Sequence, residues 1–322
     1  MPKKLKIVCL GGGNGMPKAV LSDLKNHNNV EITAVCAMLD SGGSAGRLRK
    51  DYAITSPGDI RRAFIALANV SPAIGELFNY RFQAGELKGH NFANLFITAL
   101  ELSAKNYKKT LQEMTRVLNI NPDHKVLPVT LSKSHLFAEL NDGQIISGET
   151  NIDVPKHDGQ IRIKRVFLDP PAKAYKPVID SIKQADLIII GPGDLYSSIA
   201  QILLVDGITG AIKQSKAKKI YICNLMTKYG ETNNFSVADF FKEIEKLLKS
   251  ELDYVIYNNQ KINPVRIKSY KKKHPELMDQ VFFTDGHNYG KKLIGLDVIT
   301  DKGPIIHDSK KLIKLILTKC RQ

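Results

Sequence analysis

No stretch of this 322-residue chain approaches the roughly 20 consecutive apolar residues that cross a bilayer. The basic start Met1-Pro2-Lys3-Lys4-Leu5-Lys6 leads only into Ile7-Val8-Cys9-Leu10 before glycine intervenes, too short an apolar run for a signal sequence. Neither a membrane span nor export is expected. Cysteine is scarce: Cys9, Cys36, Cys223 and Cys320 show no paired spacing, and the first three sit inside apolar runs. Disulfides and a cysteine metal cluster are disfavoured, and reduced buried thiols point to the cytoplasm. Also missing are HExxH, the Gly-x-Ser-x-Gly elbow, the dinucleotide GxGxxG and the P-loop Gly-Lys-Ser/Thr, which argues against the chemistry each serves. Acidic residues are outnumbered, 32 against 47 Lys and Arg, for a formal charge of +15. That excess favours anionic partners. No RRM, KH or helix-turn-helix pattern accompanies lysine runs such as Lys268-Ser269-Tyr270-Lys271-Lys272-Lys273, so they read as a solvated face and nucleic acid is not the expected partner.

What is present is alternation. Strand-length apolar stretches at 6–10, 31–39, 126–130, 163–168, 186–190, 219–223, 253–257, 281–284 and 293–299 alternate with helix-length amphipathic stretches at 17–26, 59–69, 91–104, 107–118, 174–184, 199–213, 237–249 and 309–318. This is the signature of an α/β fold, a three-layer Rossmann-like arrangement around a mostly parallel sheet. No repeat or low-complexity linker divides the chain, so 1–322 reads as one domain, with a helical insertion at 59–118. The Asn141-Asp142-Gly143 turn between two β-like arms signals a hairpin, part of a small β appendage at 130–166.

Glycine-rich loops follow the apolar runs. Gly11-Gly12-Gly13-Asn14-Gly15 follows the first strand, where backbone N–H groups and a helix N-terminus suit phosphate oxygens; a ligand-free tight turn is the plainer alternative. Asp40 ends the second strand and is suited to a ribose hydroxyl, a metal or a plain turn cap; Gly42, Gly43 and Ser44 then offer donors, with Arg47 and Arg49 beyond. In Pro57-Gly58-Asp59-Ile60-Arg61-Arg62, Asp59 suits a helix cap or, facing a crevice, a metal ligand or base, and Arg61 or Arg62 a phosphate clamp. Two more loops, Gly191-Pro192-Gly193-Asp194-Leu195-Tyr196-Ser197 and Asn224-Leu225-Met226-Thr227, repeat the pattern. In a parallel sheet such loops share one edge, so a composite site for a phosphorylated ligand is expected there.

Together these motifs resemble the YvcK-like family of bacterial gluconeogenesis factors, relatives of the 2-phospho-L-lactate transferase CofD. The resemblance covers nearly the whole chain and rests on GGGNG at 11–15, GGS-x-GRLR at 42–49, PGDIR at 57–61, Tyr80-Arg81-Phe82, Gly89-His90, VLPVT at 126–130, Asp142-Gly143 with Gly148-Glu149, GPGDLYSSI at 191–199, and Asn224, Met226-Thr227 and Gly230-Glu231-Thr232. It implies a nucleotide cleft on the sheet edge. In the YvcK-like branch the ligand would be a UDP-sugar and the role regulation of carbon metabolism and cell-envelope synthesis. In the transferase branch a phospholactyl-type group would pass from an NDP-linked donor to an alcohol, with magnesium and release of NMP. By that resemblance Gly11 to Gly15, Asp40, Gly42 and Gly43 line the phosphates, and Asn224, Met226 and Thr227 border the cleft. Asp40 would hold magnesium, Asp59 would be a second ligand or base, and Arg47 a clamp. Asn94 follows Ala93 where the family usually has glycine, Asp40-Ser41 replaces two acidic residues, and Ile306 stands where the regulator branch has arginine. Oligomeric state stays open, homo-oligomers included.

Overall fold

The computed structural model describes residues 3–283 and 292–319. Its strands are β1 (Leu5–Gly11), β2 (Val30–Cys36), β3 (Lys125–Pro128), β4 (His135–Leu140), β5 (Ile145–Ser147), β6 (Ile163–Asp169), β7 (Leu187–Ile190), β8 (Lys218–Ile222), β9 (Met226–Lys228), β10 (Tyr254–Asn258), β11 (Leu277–Gln280) and β12 (Leu293–Leu296). Seven form one sheet in the order β3-β2-β1-β7-β8-β10-β12, every neighbouring pair parallel. The fold is α/β and Rossmann-like. The apolar run of β7 is buried along its whole length, as expected of a central parallel strand covered on both faces. Cys9, Leu10, Val35, Ile188, Ile189 and Ile190 are all inaccessible to solvent.

The order fixes where a ligand goes. From β1 the chain runs outward to β2 and β3, then returns to lay β7 on the other side of β1 and continues to β8, β10 and β12. The crevice beyond the carboxyl ends of β1 and β7 is therefore the topological switch point. Between β2 and β3 lie the helices Gly43–Tyr52, Gly58–Leu67, Pro72–Asn79, Phe92–Ala104 and Tyr107–Val117.

Some strand expectations shift. The apolar run at 163–168 does form β6, but β6 pairs antiparallel with β4, which also pairs with β5, as a separate three-stranded sheet. The run expected at 281–284 is displaced: β11 covers Leu277–Gln280 and pairs antiparallel with β9, while 281–283 is irregular and 284 lies outside the described residues. Phe282 and Phe283 are partly exposed there, and only Val281 is buried, its N–H bonded to Leu225 O; hydrophobicity alone did not mark a ladder. The helix expected over 199–213 breaks at Asp206-Gly207, where Gly207 takes φ +95° before the helix Ile208–Gln214. The second strand stops at Cys36 rather than 39, since Val129 N–H takes Cys36 O and Leu39 N–H turns to Gln201 Oε1.

Ile189 carries the core most directly. Ile189→Ala is expected to cost about 3 kcal/mol in denaturant unfolding; a loss below about 1 kcal/mol would contradict its placement in a close-packed centre.

Candidate functional site

The loops after β1, β2, β7 and β8 converge on a cleft of about 1380 Å³ at the switch point. Gly12, Gly13, Asn14, Gly15, Asp40, Gly42, Gly43, Ser44, Asp59, Arg61, Asn94, Gly193, Asp194, Ser197, Asn224 and Met226 all line it. The glycines are needed for close approach. A Cβ on Gly12 would stand 2.3 Å from Asp59 Oδ2 and 2.9 Å from Ser198 Oγ, and one on Gly15 would stand 2.3 Å from Pro192 O. Loop 11–15 is thus wedged between the helix carrying Asp59 and the loop after β7.

Each glycine loop is held by a carboxylate. Asp59, 6% exposed, accepts Gly13 N–H at 2.9 Å and pairs with Arg62 at 2.5 Å through the same Oδ1. Asp40 Oδ1 accepts Gly42 N–H at 2.8 Å, while Oδ2 lies against Gly58, where a Cβ would come within 2.5 Å. The turn-cap alternative describes Asp40, whereas Asp59 does not cap its own helix, which starts from Pro57 with no side-chain cap, and holds the loop after β1 instead. Burial, followed by the nearby Asp59 carboxylate, raises the Asp40 carboxyl above its ordinary range.

Other expected residues face elsewhere. Arg47 donates to Lys88 O, and Arg49 to Leu39 O and Ser134 O. The helix Gly43–Tyr52 points its first turn at the cleft and carries these arginines a turn further along. Gly11 packs on Met16, Gly191 takes φ +77° behind the loop, and Tyr196 is buried. Thr227, also buried, exchanges hydrogen bonds with the Asp279 backbone. Ser44 Oγ accepts Asn91 N–H and Asn94 Nδ2, both at 3.2 Å, and lies 3.2 Å from His90 Nδ1, so its hydroxyl anchors the 88–94 segment.

Arg61, Arg62 and Arg81 line the cleft near the glycine loops, and Lys18, Arg266, Lys273 and Lys302 line it as well. Arg61 is 8% exposed, and its Nε is buried without a hydrogen-bond partner. Burial, then the charges of Arg62 and Arg81, lowers it to about 10. Asn94 Oδ1, Asn224 Oδ1 and Ser198 Oγ are also buried without partners, and their residues line the same cleft. Buried polar atoms are rarely left unpaired. Four in one cleft mark the positions a polar ligand would satisfy.

Site residues also come from outside the four loops. Glu149 and Asp153, on the short helix Glu149–Asp153 after β5, line the cleft. Glu149 accepts Ser41 N–H at 3.3 Å; burial, then Asp40 and Asp153, pushes its carboxyl up to about 8. Behind Asp153 and Asp194 sits Lys228, 7% exposed, in contact with both and 3.2 Å from Glu231. Glu231 also accepts Ser197 Oγ at 2.7 Å, Tyr196 N–H at 2.9 Å and Ser197 N–H at 3.1 Å. Burial favours its neutral form, yet four donors converge on it, the arrangement of a carboxylate. Burial alone would lower the Lys228 ammonium, but Glu231, Asp194 and Asp153 outweigh it and hold it above its usual value. Of this cluster, Asp194 and Glu231 carried sequence signals, in the loop 191–197 and the Gly230-Glu231-Thr232 motif; Lys228 and Asp153 did not.

The chain is similar to known proteins along most of its length. A family model described as 2-phospho-L-lactate transferase CofD matches residues 7–299. The gluconeogenesis factor of Bacillus subtilis is 39% identical over 326 residues, covering 98% of both chains. That of Listeria innocua is 42% identical over 259 residues, 79% of this chain and 78% of its own. A crystal structure of a UPF0052 family member from Bacillus halodurans superposes with a TM-score of 0.90 at 36% identity, covering 98% of this chain and 99% of that one.

The Glu149 carboxyl gives a pH test. Held protonated up to about pH 8 in the folded chain but ionising near 4.5 otherwise, it contributes fully at low pH, and that contribution is lost as pH rises through this window. Glu149→Gln, neutral throughout, should flatten this slope and be more stable than the parent at the alkaline end, read by thermal unfolding of the ligand-free protein. A stability difference that does not change across the window would contradict the assignment.

Proposed function

The chain belongs to the YvcK-like family of gluconeogenesis factors, relatives of the CofD transferases, and on that premise we propose that it binds a nucleotide sugar of the UDP-sugar kind and regulates carbon metabolism and cell-envelope synthesis from the cytoplasm. The observation that carries this reading is Arg61. A guanidinium buried with an unpartnered Nε is costly, and here burial and the charges of Arg62 and Arg81 outweigh the Asp59 and Asp40 carboxylates that favour it, so a further anion would stabilise it. A diphosphate seated on it supplies two negative groups in reach of Arg61, Arg62, Arg81 and the Gly12-Gly13 loop. Regulation needs nothing more than this: a bound metabolite that changes which surface the protein presents. Among the described residues no helix is long and apolar enough to cross a membrane.

Thermal-shift screening should find stabilisation by UDP-sugars, and Arg61→Met should weaken their binding about 10-fold or more, as expected for losing a hydrogen bond to a charged group worth about 1.5–3 kcal/mol. A flat profile across UDP-sugars, GDP-linked donors and free nucleotides would overturn the reading.

Asp40 supports a second reading, the magnesium-dependent transfer of a phospholactyl-type group from an NDP-linked donor to an alcohol with release of NMP. Its desolvated carboxyl beside Asp59 suits a divalent cation, which takes one or two carboxylates together with phosphate oxygens. Asp40, with Asp59 as second ligand or base, would hold it, and the ion would neutralise phosphate charge. The three arginines would bind and orient the donor. Magnesium-dependent NMP release, lost in Asp40→Asn, is the result this reading expects; tight binding without turnover would leave the regulatory reading alone.

A further inference from the structure

The cleft has a second pole that repels phosphate. Asp153 and Asp194 line it from two different elements, with side chains 35% and 40% exposed. Their hidden sides meet one buried ammonium, Lys228, which contacts Asp153 and lies 3.0 Å from Asp194 Oδ2. Glu231, the third carboxylate on that ammonium, is fixed by Ser197 and the Tyr196 N–H and belongs to the scaffold. One ammonium against three carboxylates leaves the cluster net negative. Lys228 also occupies the centre of the cluster, where a metal ion would otherwise sit.

Ionised carboxylates are acceptors only, so a partner here must bring donors. A phosphate brings none and is repelled. Hydroxyl groups bring one each, and O–H donors to a carboxylate make bonds roughly twice as strong as neutral ones. A third polar group also lines the cleft. Ser198 Oγ, in a side chain 7% exposed, has no partner and borders the cleft beside Gly12 and Gly193. Its hydroxyl can serve either neighbour, donating to a phosphate or accepting from a sugar.

We propose that Asp153 and Asp194, held in place by Lys228, form the subsite for the hydroxyls of the sugar half of the ligand, with Ser198 on the phosphate side. This rests on the nucleotide-sugar reading above and gives the ligand a direction: phosphates toward the arginines, the polyhydroxylated ring toward the acidic pair. Lys228 is a positioning residue, since its ammonium contacts both carboxylates and holds them facing one space.

Calorimetric titration of the full chain with UDP and with a panel of UDP-hexoses, amino and N-acetyl forms included, tests it. At least one UDP-hexose should bind the parent protein tenfold or more tightly than UDP. Asp194→Ala should erase that advantage while leaving UDP affinity within about twofold, and Asp153→Asn, which keeps the side-chain shape, should reduce it in the same selective way. Lys228→Met should mimic Asp194→Ala, and Lys228→Arg should restore discrimination. If the variants weaken UDP and UDP-hexoses by the same factor, or leave the advantage intact, the subsite is wrong although the nucleotide reading survives. If the parent binds neither UDP nor any UDP-hexose, the nucleotide-sugar reading fails and the subsite with it.

Discussion

The carboxylate of Asp59 is the contact on which the cleft depends. It is nearly inaccessible, touches the Gly12 backbone so closely that no side chain fits there, accepts the Gly13 N–H and pairs with Arg62. One residue thus joins the loop after β1 to the helix Gly58–Leu67. Removing Asp59 would leave the Gly13 N–H and the part-buried Arg62 guanidinium without this partner, so several contacts together maintain the geometry. Because Arg61 sits on the same turn of that helix, fixing Asp59 fixes the guanidinium relative to the glycine loop.

From that constraint follows a cleft with an electrostatic direction. Arg61, Arg62 and Arg81 bring positive charge beside the glycine loops, Lys18, Arg266, Lys273 and Lys302 bring more along the lining, and Asp153 with Asp194 brings negative charge. Asp40 and Glu149 lie among the acids in a desolvated setting that favours their protonated forms. A ligand of uniform charge suits neither pole of such a cleft; one with an anionic half and a hydroxyl-rich half suits both. The switch-point topology puts this gradient at the carboxyl ends of adjacent strands, where loops can vary without disturbing the buried ladder beneath.

Much of this was legible before the structure. Apolar runs ending in glycine gave the central strands and the edge on which the loops gather, because burial on both faces of a parallel sheet leaves a continuous hydrophobic signature. The glycine loops, Asp40, Asp59, Arg61 and Asp194 could be named because small residues and charges after a strand have few structural uses. What stayed hidden depends on tertiary approach. Arg47 and Arg61 look alike in sequence, yet helix phase and length put one on the Lys88 carbonyl and the other in the cleft. Asp153 reaches the site from the short helix that follows β5 of the separate antiparallel sheet, and Lys228 is buried among three carboxylates that no local pattern brings together. Residues 281–283 show the converse: they are apolar and make isolated backbone bonds to Leu225 and Val237, yet form no ladder.

The most direct measurement is a crystal structure of the protein with a bound UDP-sugar. The account predicts the diphosphate within hydrogen-bonding distance of Arg61 and the Gly12-Gly13 backbone, with Asp59 still bridging Gly13 and Arg62. A diphosphate bound elsewhere, with the Arg61 Nε still unpartnered at saturating ligand, would contradict it.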